Sequence, residues 1–105
     1  MTKVIKIAMT ENRFYKMKAD VKKGLAVHKA IYETTEGKIK RHWDEWRVTH
    51  VKSGYGVLAL YSKEDALKCR EDLFKIFDWT RTIDVEKPPK IERHLTKLKK
   101  KYGVL

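Results

Sequence analysis

Residues 46–77 read WRVTHVKSGYGVLALYSKEDALKCREDLFKIF, and this stretch decides the fold class. Trp46 to Val51 alternates large apolar with polar residues, the period of a strand, and places Trp46, Val48 and His50 on one face. Lys52, Ser53 and Gly54 make a tight turn, with Gly54 free to take positive φ. Tyr55 to Tyr61 is a second strand, apolar on both faces, which predicts a central or doubly covered position. Ser62 then opens a helix. With Asp65 three residues on it resembles a capping box, and Glu64 and Asp65 suit the positive end of the helix dipole. Ala66, Cys69, Leu73, Ile76 and Phe77 share one face of a helix over 63–77, and Leu67 and Phe74 widen the stripe.

Upstream, Val4–Met9 (VIKIAM) reads as a strand with Ile5, Ile7 and Met9 on one face. Residues 10–23 leave two alternatives open, a loop or an irregular strand, with Phe14 and Tyr15 as the large apolar pair. Leu25–Tyr32 reads as a strand with Leu25, Val27 and Ile31 on one face. Glu33–Glu45 is polar, contains Gly37, and reads as a long loop or hairpin tip. Downstream, residues 80–90 form a connector closed by Pro88-Pro89, a pair that suits the first turn of a following helix. That helix spans about 90–102. Its seam of Ile91, Leu95, Leu98, Tyr102 and Leu105 either docks on the core or pairs two chains. The expected architecture is α+β: a mostly antiparallel sheet of about four strands, one packed helix, and a basic C-terminal helix. Residues 1–86 are the core domain and 87–105 the basic amphipathic helix.

From Gly24 to Thr80, about half of the chain, the pattern resembles small uncharacterised proteins found in phage and prophage genomes. The carriers are a GLAVH strand, the WxVTHxxSG segment (Trp46, Val48, Thr49, His50, Ser53, Gly54), the helix positions Ala66 and Leu73, and the Asp78-Trp79-Thr80 ending. The resemblance implies a phage-type accessory protein made inside a bacterial cell. It transfers no catalytic residue.

The chain has 105 residues, 42% of them hydrophobic and 37% charged, the length and composition of one folded domain. No apolar run approaches the roughly 18 residues of a membrane span, and the N-terminus lacks the long apolar region of a signal peptide. A single cysteine, Cys69, excludes an internal disulfide and a cysteine-rich zinc site, and fits a reducing cytoplasm. The histidines His28, His42, His50 and His94 match no zinc-binding spacing. His50 on its apolar face is either a general base or phosphate contact, or a buried residue hydrogen-bonded to Ser53 or a turn carbonyl; the second is favoured. No nucleophile, acid/base pair or carboxylate cluster stands out. No enzyme activity, metal or other cofactor is expected.

The net charge is +11, unevenly placed. Residues 1–30 carry eight Lys/Arg against two acids, and residues 86–105 carry seven against two. Such ends suit an acidic partner, most often nucleic acid. Aromatics interleave with cations at Arg13-Phe14-Tyr15-Lys16, around Trp43 and at Trp46-Arg47, as in surfaces that stack unpaired bases. Phe14, Trp46 and Trp79 are expected in the core, with Trp43 and Tyr15 exposed. The candidate contacts are Lys16, Lys18, Lys22, Lys40, Arg41, Trp43, Arg93, Lys97, Lys99, Lys100 and Lys101, with Arg41 and Trp43 in the long loop. One function follows: a basic protein that binds nucleic acid with low sequence specificity. The alternative is a non-catalytic protein that binds and modulates a host or phage protein. The chain is expected to be a monomer, or a weak homodimer through Ile91, Leu95, Leu98 and Tyr102.

Overall fold

The computed structural model describes residues 2–9, 13–81 and 91–102. Five strands form one antiparallel sheet in chain order: β1 (Thr2–Ala8), β2 (Phe14–Lys22), β3 (Leu25–Glu33), β4 (Ile39–His50) and β5 (Gly56–Leu60). Two helices follow, α1 (Lys63–Phe74) and α2 (Glu92–Tyr102). The α+β class and the antiparallel sheet are as expected, with five strands among the described residues rather than about four. The expected helix start at Lys90, the Pro88-Pro89 pair and the seam residue Leu105 lie outside the described residues.

Two stretches differ from the sequence reading for one reason: polar outward side chains mask a strand. Residues 14–22 are strand β2, with Met17 and Ala19 buried and Lys16 and Lys18 exposed between them. Residues 39–45, expected in a long loop, are the first half of β4, where Ile39, Lys40 and Arg41 pair with Glu33, Tyr32 and Ile31. The connection shrinks to a turn in which Gly37 takes φ +81 and the Lys38 N–H donates to Thr34 Oγ1 at 3.1 Å.

A register shift between Lys29 and Ile31 also moves Ile31 off the face of Leu25 and Val27. Leu25 and Val27 join Val48, Leu58, Leu60 and Trp79 against Ala66, Cys69 and Leu73 of α1, forming the larger core. Ile31 packs into a second core on the opposite side of the sheet, among Ile5, Ile7, Met17, Ala19 and Ala26. The sheet curls around that second core. The Ala8 N–H at the end of β1 donates to the Gly54 carbonyl at 2.9 Å, so the first strand reaches the β4–β5 turn.

Strand β5 lies at the end of the strand order, not in the centre. Its apolar character serves the larger core beneath the helices, where Leu58 and Leu60 are buried and Val57 packs alongside. Helix α1 is capped as expected, the Asp65 N–H donating to Ser62 Oγ at 3.1 Å, but ends at Phe74. Ile76 and Phe77 pack on the core from the segment beyond it. The α2 seam docks on the same chain: Ile91, Leu95, Leu98 and Tyr102 all pack against the larger core. The Asp72 carboxylate fastens this contact, accepting from Tyr102 OH at 2.6 Å and Lys101 Nζ at 3.0 Å. No described helix is long and apolar enough to cross a membrane.

Candidate nucleic-acid interface

Pairing register fixes which side chains share a side of the sheet. Asp20 stands opposite Val27, whose side chain lies in the core beneath α1. Phe14, Lys16, Lys18, Asp20 and Lys22 alternate along β2 and therefore face the helix-bearing side. Two contacts confirm this placement. Arg70 of α1 donates through Nη1 to the Asp20 carbonyl at 2.8 Å and to its carboxylate at 3.0 Å. Lys22 pairs with Glu71 of α1. The Arg70 hydrogen bond, the largest influence on it, holds the Asp20 carboxyl below the usual range.

Beyond Asp20 the helices no longer cover the sheet. There Phe14 pairs with Ala8, Lys16 with Lys6, and Lys18 with Val4. All of these are exposed except Ala8, which is half-buried. Val4 and Phe14 are 61% and 57% exposed, the reverse of the core position expected for Phe14. Lys6 and Lys16 face each other directly across the ladder, with Cβ atoms roughly 5 Å apart. Like charges so placed repel. Among the described residues, no carboxylate pairs with Lys6, Lys16 or Lys18.

The other candidate contacts are dispersed. Lys40 is exposed on β4 opposite Tyr32, and Arg41 is exposed opposite Ile31. Both sit in a strand, not in a loop. Trp43 also belongs to β4, and its side chain lies outside the described part of the structure. Arg93, Lys97, Lys99 and Lys100 are exposed on α2. Lys22 and Lys101 are engaged by Glu71 and Asp72, which reduces their availability to phosphate. Helix α2 docks on α1 and β5, whereas Lys16 and Lys18 lie at the other end of the strand order. The fold thus distributes the cations over three places: the β1–β2 face, the far half of the β3–β4 hairpin, and α2.

The sequence reading left Lys6 out of the candidate contacts and, although Phe14 stands in the Arg13-Phe14-Tyr15-Lys16 run, placed that ring in the core. The usable signal was Lys6 between Ile5 and Ile7, matched by Lys16 and Lys18 around Met17. Two alternating strands that bury one face must offer their lysines on the other.

The buried histidines are structural in their contacts. His50 is 1% exposed, with Nδ1 2.7 Å from Ser53 Oγ and Nε2 3.0 Å from the Arg81 carbonyl, to which it donates. It ties the β4–β5 turn to the segment after α1. His28 lies between the Lys29 carbonyl and Thr49 Oγ1, at 2.8 and 2.6 Å, and burial pushes its pKa down. Donation from Nδ1 to the carbonyl leaves Nε2 to accept the Thr49 hydroxyl, the neutral tautomer. His42 lies 2.7 Å from Asp44 and edge-on to Tyr32, and His94 is exposed on α2. Among the described residues no three His, Cys, Asp or Glu side chains converge as metal ligands.

Comparison with protein-family models, with curated proteins and with solved structures finds no match to this chain.

Proposed function

We propose that this chain is a small, non-catalytic, phage-type accessory protein that binds nucleic acid with low sequence specificity. The observation that carries this reading is the cluster of Lys6, Lys16 and Lys18 on one uncovered sheet face, with no carboxylate among the described residues pairing to any of them. A phosphate between Lys6 and Lys16 relieves their repulsion and gains two charge-assisted hydrogen bonds. The overall charge of +11 adds long-range attraction, and Arg93, Lys97, Lys99 and Lys100 on α2 supply further phosphate contacts. Lysine contacts to phosphate position a nucleic acid without reading its bases, which accounts for low specificity.

The test is fluorescence anisotropy with labelled oligonucleotides between about 50 and 200 mM salt. Affinity should fall linearly on a log–log plot, and Lys16→Gln with Lys18→Gln should flatten the slope by about 0.7–0.9 for each phosphate no longer neutralised. A protein that ignores oligonucleotides throughout this range, yet retains a specific protein through purification, refutes the proposal in favour of a protein partner.

A further inference from the structure

We infer that the uncovered face of β1 and β2 takes single-stranded nucleic acid, with an unpaired base stacked on Phe14 and phosphates held by Lys6, Lys16 and Lys18. This rests on the function proposed above and narrows its ligand to unpaired strands.

Phe14 is the reason. A phenyl ring more than half exposed on a sheet surface leaves a large apolar area in water, and duplex phosphates gain nothing from it. An unpaired base does, because every base has a π-face and stacks on an aromatic ring regardless of identity. The ring is also presented rather than merely exposed. Its cross-strand partner is Ala8, whose single methyl group cannot cover it. Its Cε1 edge borders Gly54, where a Cβ would stand 3.4 Å away. Gly54 is itself fixed by the Ala8 N–H, so the ring rests on backbone that the closure of the sheet holds in place. A ring held in this way loses little freedom when a base stacks on it.

The cations lie in line with the ring. Side chains on one face of a strand recur every ~6.8 Å, so Phe14, Lys16 and Lys18 form a row. Lys6 sits beside Lys16 and widens the row into a shallow track. The row ends where Asp20 is occupied by Arg70. No described helix or paired strand ribbon rises from this face to enter a duplex groove. A track of cations beside a stacking ring is the arrangement that follows the backbone of an unpaired strand.

The experiment compares a labelled oligothymidine of about 16 nucleotides with a blunt duplex of the same length, at one low salt concentration. The proteins are the full chain, Phe14→Leu, Phe14→Tyr and Lys16→Gln, each shown by circular dichroism to be folded. The full chain should prefer the single strand. Phe14→Leu should weaken single-strand binding about 5- to 150-fold and leave duplex binding unchanged. Phe14→Tyr should retain the preference, since it keeps the ring. Lys16→Gln should weaken both ligands. Equal single-strand affinity for the full chain and Phe14→Leu overturns the inference, and so does equal loss on both ligands. If Lys16→Gln is weakened in either case, the broader nucleic-acid function still stands. Binding to neither ligand by the full chain refutes both.

Discussion

Gly24→Ala should be among the most damaging small substitutions in this chain, and Gly37→Ala provides its control. Both glycines adopt positive φ, +85 and +81. Adding a Cβ in that region costs about 1–2 kcal/mol at either site. Their surroundings differ. A Cβ on Gly37 meets nothing within 4 Å. A Cβ on Gly24 falls close to the Trp79 carbonyl group and 2.8 Å from the Thr80 nitrogen. These are main-chain atoms, so no rotamer change relieves the overlap, and the Trp79 segment must move. Trp79 is 2% exposed, its indole N–H donates to the Leu73 carbonyl at 2.9 Å, and its ring packs edge-on against Phe77. Complete truncation of such a side chain costs about 3–5 kcal/mol. Forfeiting half of its packing adds about 2 kcal/mol. The total of about 3–4 kcal/mol for Gly24→Ala is a large share of the 5–15 kcal/mol typical of a domain this size. Urea unfolding followed by circular dichroism and tryptophan fluorescence measures it. Gly24→Ala should lower the midpoint by about 2 M, and Gly37→Ala by about a third to a half of that. Equal shifts for the two variants would show that the Trp79 segment does not press on the β2–β3 turn, and would refute the reasoning.

Four further outcomes follow from the packing. Leu73→Ala empties a fully buried site and should cost about 2–5 kcal/mol in the same unfolding assay. Leu95→Asp with Leu98→Asp should lower the melting temperature with no change of mass in sedimentation, because the seam docks on its own core. Hydrogen bonds from Tyr102 and Lys101 hold the Asp72 carboxyl below its ordinary value, so its contribution is complete above about pH 4 and disappears as pH falls through the folded value. The stability difference between the full chain and Asp72→Asn should therefore shrink on acidification, as measured by urea midpoints across the acid range. Burial pushes the Cys69 thiol up to about 12, so a thiol reagent near neutral pH should label it only after denaturant is added.

The parts of the fold legible in the sequence are those where local pattern and burial coincide. Val48 and Leu58 face the core as the alternation required, Gly54 takes φ +77 in its turn, and Ser62 caps α1. The missed strands are those where they diverge. In β2 the inward residues Met17 and Ala19 carry little β preference, and in the first half of β4 cations and His42 outweigh Ile39. Pairing across the sheet makes these segments strands, and pairing is a non-local property. The shift at Lys29–Ile31 is invisible for the same reason: the pairing offset between β3 and β4 changes there by three residues, and no local pattern in either strand announces it. Of the site, Lys16 and Lys18 were legible as charge. Phe14 was misplaced because a large aromatic in a small domain normally supplies core area.

The exposure of Phe14 follows from how the two layers divide the sheet. Five strands spaced about 4.8 Å apart span roughly 19 Å between the outermost axes. A helix about 10 Å across covers two or three strands. Here α1 and α2 cover β3, β4 and β5. The β1–β2 hairpin finds its burial on the opposite side, where Ile5, Ile7, Met17 and Ala19 line the curl. One buried face is enough to hold a hairpin to its sheet, so its helix-side face is free of any core requirement. Solubility alone asks of such a face only mixed polar residues of both signs. It carries three lysines, of which two oppose each other, and an aromatic ring held against backbone. Each of these choices costs stability in the isolated chain, the first through repulsion and the second through exposed apolar area. A ligand that supplies both negative charge and flat apolar rings would remove both costs together, which is the chemistry of the unpaired strand proposed above.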